Sequence, residues 1–214
     1  MKVVSFTFNT FAENTYLLID EASGATAIVD PGCYAPAEQQ ELKNYIETQQ
    51  LKVELLLNTH AHIDHVLGNS FVLSIYPGIP FLLHPADLPT LRAVPTYAGP
   101  YGFAGYQPAE PTGELTAGQR VRLGQAELEV RFTPGHAPGH VVFCHPDSQQ
   151  LVGGDVLFRG SIGRTDLPGG DHATLLRSIR AELLTLPDET TVYPGHGPAT
   201  TIGAERQSNP FLIS

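Results

Sequence analysis

Short apolar runs bounded by turn residues recur along the first part of the chain, and their length decides what they form. Val3 to Phe8, Thr15 to Ile19 and Ala25 to Val29 are rich in β-branched and aromatic residues, and the third is stopped by Asp30-Pro31-Gly32. Runs this short read as strands of a meander rather than as helices. From Pro36 to Gln50 the spacing changes, with Leu42, Tyr45 and Ile46 at helical intervals and polar residues between them. That is the pattern of an amphipathic helix. Val53 to Leu57 then reads as a buried strand. A helix to about Ser74 is expected to follow, with Asp64 as its N-cap ahead of Val66-Leu67 and Phe71-Val72. Pro80 to Leu83 predicts a short strand, and Pro85 is placed to open another short helix.

Between Ala93 and Gly118 the pattern fails. Pro95, Gly99, Pro100, Gly102, Gly105, Pro108, Pro111 and Gly113 break every period, with Tyr97, Tyr101, Phe103 and Tyr106 among them. The expectation is a long irregular loop, and its aromatic content favours a partly ordered flap over a site. Strands resume at Val121 to Leu123, Ala126 to Phe132, Val141 to Cys144 and Gln150 to Val152. A helix from about Ala173 to Leu184, a strand at Thr191 to Tyr193 and a closing helix near Ile202 to Gln207 complete the chain. The order strands, helix, strand, helix therefore occurs twice, which implies a layered α/β sandwich.

Composition narrows the class. Hydrophobic residues make up 42% and charged residues 16% of the chain, and no run reaches the roughly 20 apolar residues of a membrane span. Met1 to Phe6 lacks the layout of a secretory signal, and Cys33 and Cys144 do not make a disulfide framework. A soluble, cytoplasmic protein is expected. The net charge of -10, from 22 acids and 12 bases without a basic cluster, excludes nucleic acid as the expected partner.

The candidate chemistry is concentrated at the end of the strand Val53 to Leu57. His60-Ala61-His62-Ile63-Asp64-His65 sets three imidazoles and a carboxylate within six residues. His60 and His62, two apart on a chain leaving a strand, point to one side and suit a single cation. Asp64 and His65 are adjacent at a turn, diverge, and suit a second. Three more candidates follow strand-like runs: His136 after Thr133-Pro134-Gly135, Asp155 after Gly153-Gly154, and His196 after Tyr193-Pro194-Gly195. In both Pro-Gly-His segments the turn residues leave an imidazole at the strand's edge. Imidazole and carboxylate without thiolate suit zinc, with iron or manganese as alternatives. Asp30 is expected either to fix a ligating imidazole or to open a turn. His84, His140, His145 and His172 lie outside the pattern and are expected at the surface or in structural hydrogen bonds.

With His-x-His-x-Asp-His unbroken at His60 to His65 and the later His, Asp and His in order, the chain resembles the metallo-β-lactamase superfamily over essentially its whole length. The resemblance implies a four-layer αββα sandwich and one such domain over residues 1–214. It also implies two divalent metal ions: a first on His60, His62 and His136, a second on Asp64, His65 and His196, and Asp155 bridging them. Two metals about 3.5–4 Å apart lower the pKa of a shared water from about 15.7 towards about 7, so no Ser or Cys nucleophile is required.

The stretch Gly154 to Asp166 and the ending Tyr193-Pro194-Gly195-His196-Gly197-Pro198 through Asn209-Pro210-Phe211-Leu212 resemble the short, bacterial-type glyoxalase II group. The implied activity is hydrolysis of a small-molecule thioester such as S-lactoylglutathione by a metal-bridging hydroxide, with Asp64 and Asp155 in catalytic positions. Full-length members add a C-terminal helical domain that binds glutathione, which is not expected here. Where they place a basic residue and then an aromatic, this chain has Arg164 and then Asp166. Arg164 is the candidate for meeting a substrate carboxylate, with an ion pair to Asp166 or Asp171 as its other reading. The alternative function is a persulfide dioxygenase with one iron on His60, His136 and Asp155, a two-His, one-carboxylate set. A catalytically idle metal-binding module is the third. β-Lactamase activity is disfavoured by the glyoxalase-type segments.

Overall fold

Several strands of this protein are buried on both faces, and the computed structural model, which describes residues 1–213, shows why. The first sheet runs in the order β1 (Lys2–Phe8), β2 (Glu13–Ile19), β3 (Ala25–Val29), β4 (Lys52–Leu57), β5 (Phe81–Leu83), β6 (Gly113–Glu114). Its first three strands are antiparallel and the rest parallel. The second sheet is built from β7 (Arg120–Leu123), β8 (Ala126–Phe132), β9 (Val141–His145), β10 (Gln150–Gly154), β13 (Thr191–Pro194) and β14 (Thr200–Thr201), lying in the order β14-β13-β10-β9-β8-β7. A small hairpin of β11 (Leu157–Phe158) and β12 (Ser161–Ile162) stands apart.

Alternation along the strands sorts the side chains into three cores. Tyr16, Leu18, Leu55 and Leu57 meet Val130, Val141 and Phe143 between the sheets. Their neighbours Leu17, Ile19 and Leu56 face outward, against Leu42 and Ile46 of α1 (Pro36–Thr48) and Val66 of α2 (Ile63–Val66). On the far side Val142 and Cys144 pack against Leu175 of α5 (His172–Ser178) and Ile202 of α6 (Ile202–Ser208). The order helix, sheet, sheet, helix is the αββα sandwich expected from the sequence. Both faces of the central strands are covered, so β3 and β9 carry near-continuous apolar runs, whereas β7 and β8 nearer the edge alternate. Among the described residues no helix is long and apolar enough to cross a membrane.

Three local expectations are corrected. Asp64 is not an N-cap. His62 holds that position with φ -66° and ψ 151°, and Asp64 lies inside a single helical turn. The chain does not continue as one helix to Ser74 either, because the Gly68 N–H turns to the Pro31 carbonyl at 2.7 Å. A separate helix α3 then spans Asn69–Ile75.

The segment 93–118 is less irregular than its Pro and Gly content suggests. Its first residues continue α4 (Leu88–Tyr97) through Pro95, because this helix buries Leu91 and Val94. Its end supplies β6, paired with β5. Between them, Phe103 packs on Tyr34 with ring centroids 4.9 Å apart, and the Gly105 N–H donates to the Tyr34 hydroxyl at 2.8 Å. These contacts anchor the segment to the body of the fold.

Candidate metal centre

Four loops bring the candidate ligands to one edge of the sandwich: those after β4, β8, β10 and β13. The two sheets are stitched together there. The Asn14 N–H donates to the Gly195 carbonyl at 2.7 Å, the Asn14 side-chain amide to Gly197 at 2.8 Å, and the Tyr16 hydroxyl to the Pro194 carbonyl at 2.7 Å. The start of β2 thereby fixes the loop that presents His196.

In the first triad, His62 Nδ1 lies 2.9 Å and His60 Nε2 3.3 Å from His136 Nε2. The surrounding hydrogen bonds assign the tautomers. Thr59 gives its hydroxyl proton to Asp30 Oδ2 at 2.5 Å, so its oxygen is free to accept from His60 Nδ1–H at 3.0 Å. His136 Nδ1–H donates to the Arg164 carbonyl at 2.8 Å. Each donation leaves a lone pair on the opposite nitrogen, aimed into the shared space. Burial holds all three rings on the neutral side, and neighbouring imidazoles add to it for His60 and His62, while Asp155 partly opposes it at His136. For His62 the pKa falls to about 3.

The second triad is electrostatically the reverse. Asp64 Oδ2 lies 3.2 Å from His196 Nε2 and 3.7 Å from His65 Nε2. His196 Nδ1–H is held by the carbonyls of Phe11 at 3.1 Å and Ala12 at 3.3 Å. His65 Nδ1 meets Asp30 Oδ2 at 3.2 Å. Burial pushes both imidazoles down, but the carboxylates of Asp64 and Asp155 outweigh it and both pKa values are raised.

Asp155 joins the halves. Its Oδ1 lies 3.5 Å from His65 Nε2, and its Oδ2 lies 3.6 Å from His136 Nε2 and 3.5 Å from His196 Nε2. Burial alone would raise its pKa, yet His65, His136 and His196 together hold it far below the carboxylate range. Whether these residues fit metal can be tested on the atoms themselves. His65 Nε2 and Asp155 Oδ1 are both buried and without a hydrogen-bond partner, a costly arrangement that a cation between them would resolve. Two groupings, His60–His62–His136 and Asp64–His65–His196, each place one donor atom per residue within 4.8 Å. The grouping of Asp30 with His60 and His65 is equally compact, but Asp30 is already engaged by Thr59 N at 2.7 Å, the Thr59 hydroxyl and Asn58 Nδ2 at 3.2 Å. Asp30 therefore orients His65 and, through Thr59, His60.

All seven predicted ligands thus come together, and Asp30 fixes an imidazole. Arg164 does not reach into the centre. Its guanidinium grips Asp166 through two bonds of 2.7 Å, both side chains exposed, and its contribution to the centre is the carbonyl that holds His136. His140, set aside as structural, is hydrogen-bonded as expected, but what it holds is the Asp155 backbone N–H, at 3.1 Å. Two carboxylates were missed. Glu13 is fully buried 3.9 Å from His65, and burial raises its pKa despite the pull of His65. Asp87 is also fully buried. The one available signal was an acid inside or beside an apolar strand or helix, where it has no solvent to face.

The comparisons agree with this architecture. The Metallo-beta-lactamase superfamily pattern matches residues 9–196, and the chain belongs to that superfamily. It is 37% identical over 216 residues to hydroxyacylglutathione hydrolase GloC of Haemophilus influenzae, covering all of this chain and 99% of the relative. Among solved structures, BLEG-1 B3 metallo-β-lactamase is similar with a TM-score of 0.90 and 36% identity over the full length of both chains. TTHA1623, solved in a di-iron-bound form, matches with a TM-score of 0.87 and 40% identity over 98% of this chain and all of that one.

Proposed function

We propose that this protein is a binuclear metallohydrolase of glyoxalase II type that cleaves a glutathione-type thioester. The observation that carries the reading is Asp155, whose two oxygens reach the histidines of both triads. His60, His62 and His136 would hold one divalent ion, Asp64, His65 and His196 the other, and Asp155 would bridge them. Zinc is the first choice, with iron or manganese also compatible with the donor set, and the di-iron form of TTHA1623 keeps iron in play. Held by these residues, two such ions would supply an activated water at neutral pH and Lewis-acid polarisation of a carbonyl.

The chain's own residues do the positioning. Asp30 and Thr59 fix His65 and His60, the Arg164 carbonyl fixes His136, and the Phe11 and Ala12 carbonyls fix His196, so the donor atoms are set before substrate arrives. A thiolate leaving group, with a thiol pKa of about 8.5, departs without a dedicated general acid. The likeness to GloC over full length supports the thioester as substrate. Burial of both unpaired cysteines, Cys33 and Cys144, supports a reducing, cytoplasmic location.

A second reading is a one-iron persulfide dioxygenase, favoured by the proximity of His60 and His136 to each other and of His136 to Asp155. Metal analysis paired with parallel assays separates them. We expect two metals per chain and turnover of S-lactoylglutathione. One iron, with oxygen uptake on glutathione persulfide and no thioester cleavage, overturns the hydrolase reading. Both metals bound with no turnover would leave an idle metal-binding module, and cleavage of a β-lactam alone would side with BLEG-1.

A further inference from the structure

One fully buried carboxylate beside the centre has no part in the chemistry above. Asp87 ends the 3-10 turn Pro85–Asp87, and its two oxygens are used in different directions. Oδ2 accepts the Ala61 N–H at 2.7 Å and Oδ1 accepts the Gly139 N–H at 2.7 Å. Ala61 separates His60 from His62, and Gly139 lies in the loop after β8 that carries His136. These loops leave different sheets, so a single side chain spans the seam between the halves of the first triad. Gly139 is tailored to this contact, since a Cβ there would stand 2.5 Å from Asp87 N and 2.8 Å from Asp87 Cβ. Burial opposes the arrangement, pushing the acid up to about 6 although both N–H groups pull the other way. A carboxylate can accept two N–H groups pointing at it from opposite sides. An amide of the same shape offers one acceptor and turns donors towards the other N–H.

We propose that Asp87 is a positioning residue that sets the spacing between the His60–His62 loop and the His136 loop, and through it the affinity of the first metal triad. The proposal rests on the metal-centre reading above. Its mode of action is geometric. With one N–H released, the two backbones drift apart at a buried seam, and His136 Nε2 no longer converges with His60 and His62.

The test is a Co²⁺ titration followed by visible absorption, in which each triad is isolated by removing a ligand from the other. In a His196→Ala background, which leaves the first triad intact, Asp87→Asn should weaken Co²⁺ binding about 10- to 100-fold, the usual cost of losing an outer-shell partner. In a His62→Ala background, which leaves the second triad intact, the same substitution should leave affinity unchanged. Unaltered affinity in the first background overturns the proposal, as does an equal loss in both, which would make Asp87 a general structural prop. If Asp87→Asn does not fold, Gly139→Ala perturbs the same contact from the opposite side and is read in the same way. Wild-type protein that binds no Co²⁺ would sink the metal-centre reading itself, an outcome distinct from a failed Asp87 effect.

Discussion

Each imidazole of the centre has one nitrogen held by the protein or turned towards a neighbouring ring, and the surroundings of the other determine how it competes with protons. His60, His62 and His136 sit among one another in a buried pocket, so protonation of each is disfavoured first by burial; neighbouring rings add to this for His60 and His62, and Asp155 offsets part of it at His136. His65 and His196 face Asp64 and Asp155, which overcome the cost of burial and favour the imidazolium. A raised histidine pKa means that protons displace a cation at a higher pH. For the metal-free protein the sign is that of a stabilising charge pair, present below about 6.5 and lost as pH rises through the higher folded value. For the metal-bound protein the same protons are competitors. On acidification from neutral pH, the metal on Asp64, His65 and His196 should therefore leave before the metal on His60, His62 and His136. Metal content per chain, measured after dialysis across a pH series, checks this; simultaneous loss, or loss in the opposite order, contradicts it.

At the scale of elements, the centre depends on how closely α5 approaches the loop after β8. Gly135 has φ +129°, and a Cβ there would collide with the backbone N of Leu175, while the Asp171 N–H donates to the Gly135 carbonyl at 2.8 Å. Gly135→Ala adds a disfavoured backbone conformation to an overpacked contact, together about 3 kcal/mol. At about 2–4 °C per kcal/mol for a chain of this size, the melting temperature should fall by roughly 6–12 °C. Because His136 is the next residue, turnover should fall with it; calorimetry and the thioester assay measure the two effects, and a variant melting like wild type would mean that α5 yields freely.

Elements were also where local patterning was most and least informative. The strands were legible because each is short, apolar and bounded by turn residues. Pro85 announces the helical stretch that becomes α4, but its continuation to Tyr97 was hidden because Pro95 and the following glycines suggest a break, whereas burial of Leu91 and Val94 decides the outcome. Likewise β6 is two residues long and exists only because β5 offers it a free edge.

For the whole molecule, an occupied centre would be a cross-link. The first triad draws on β4 of one sheet and the loop after β8 of the other, and the second draws on α2 and the loop after β13. Cations bound there would connect the two halves of the sandwich in the folded state alone, so binding should raise stability by mass action, about 4 kcal/mol at a thousandfold excess over the dissociation constant. Chelation should accordingly lower the melting temperature by roughly 8–16 °C, reversibly on adding metal back; a melting temperature indifferent to chelator would argue against cations at this seam.

The candidate ligands and their order were legible in the sequence alone, because they cluster at or just after strand ends, in His60 to His65 and in the two Pro-Gly-His segments, where turn residues expose an imidazole. A layered α/β sandwich followed from the twice-repeated order of strands, helix, strand and helix, and the αββα form from the resemblance to the superfamily. Tertiary structure decided the rest. Which nitrogen each histidine presents and the placement of Asp30, Glu13 and Asp87 around the centre depend on partners far away in the chain. A buried acid leaves no periodic signature, since its role is set by the backbone N–H groups and imidazoles that folding brings to it.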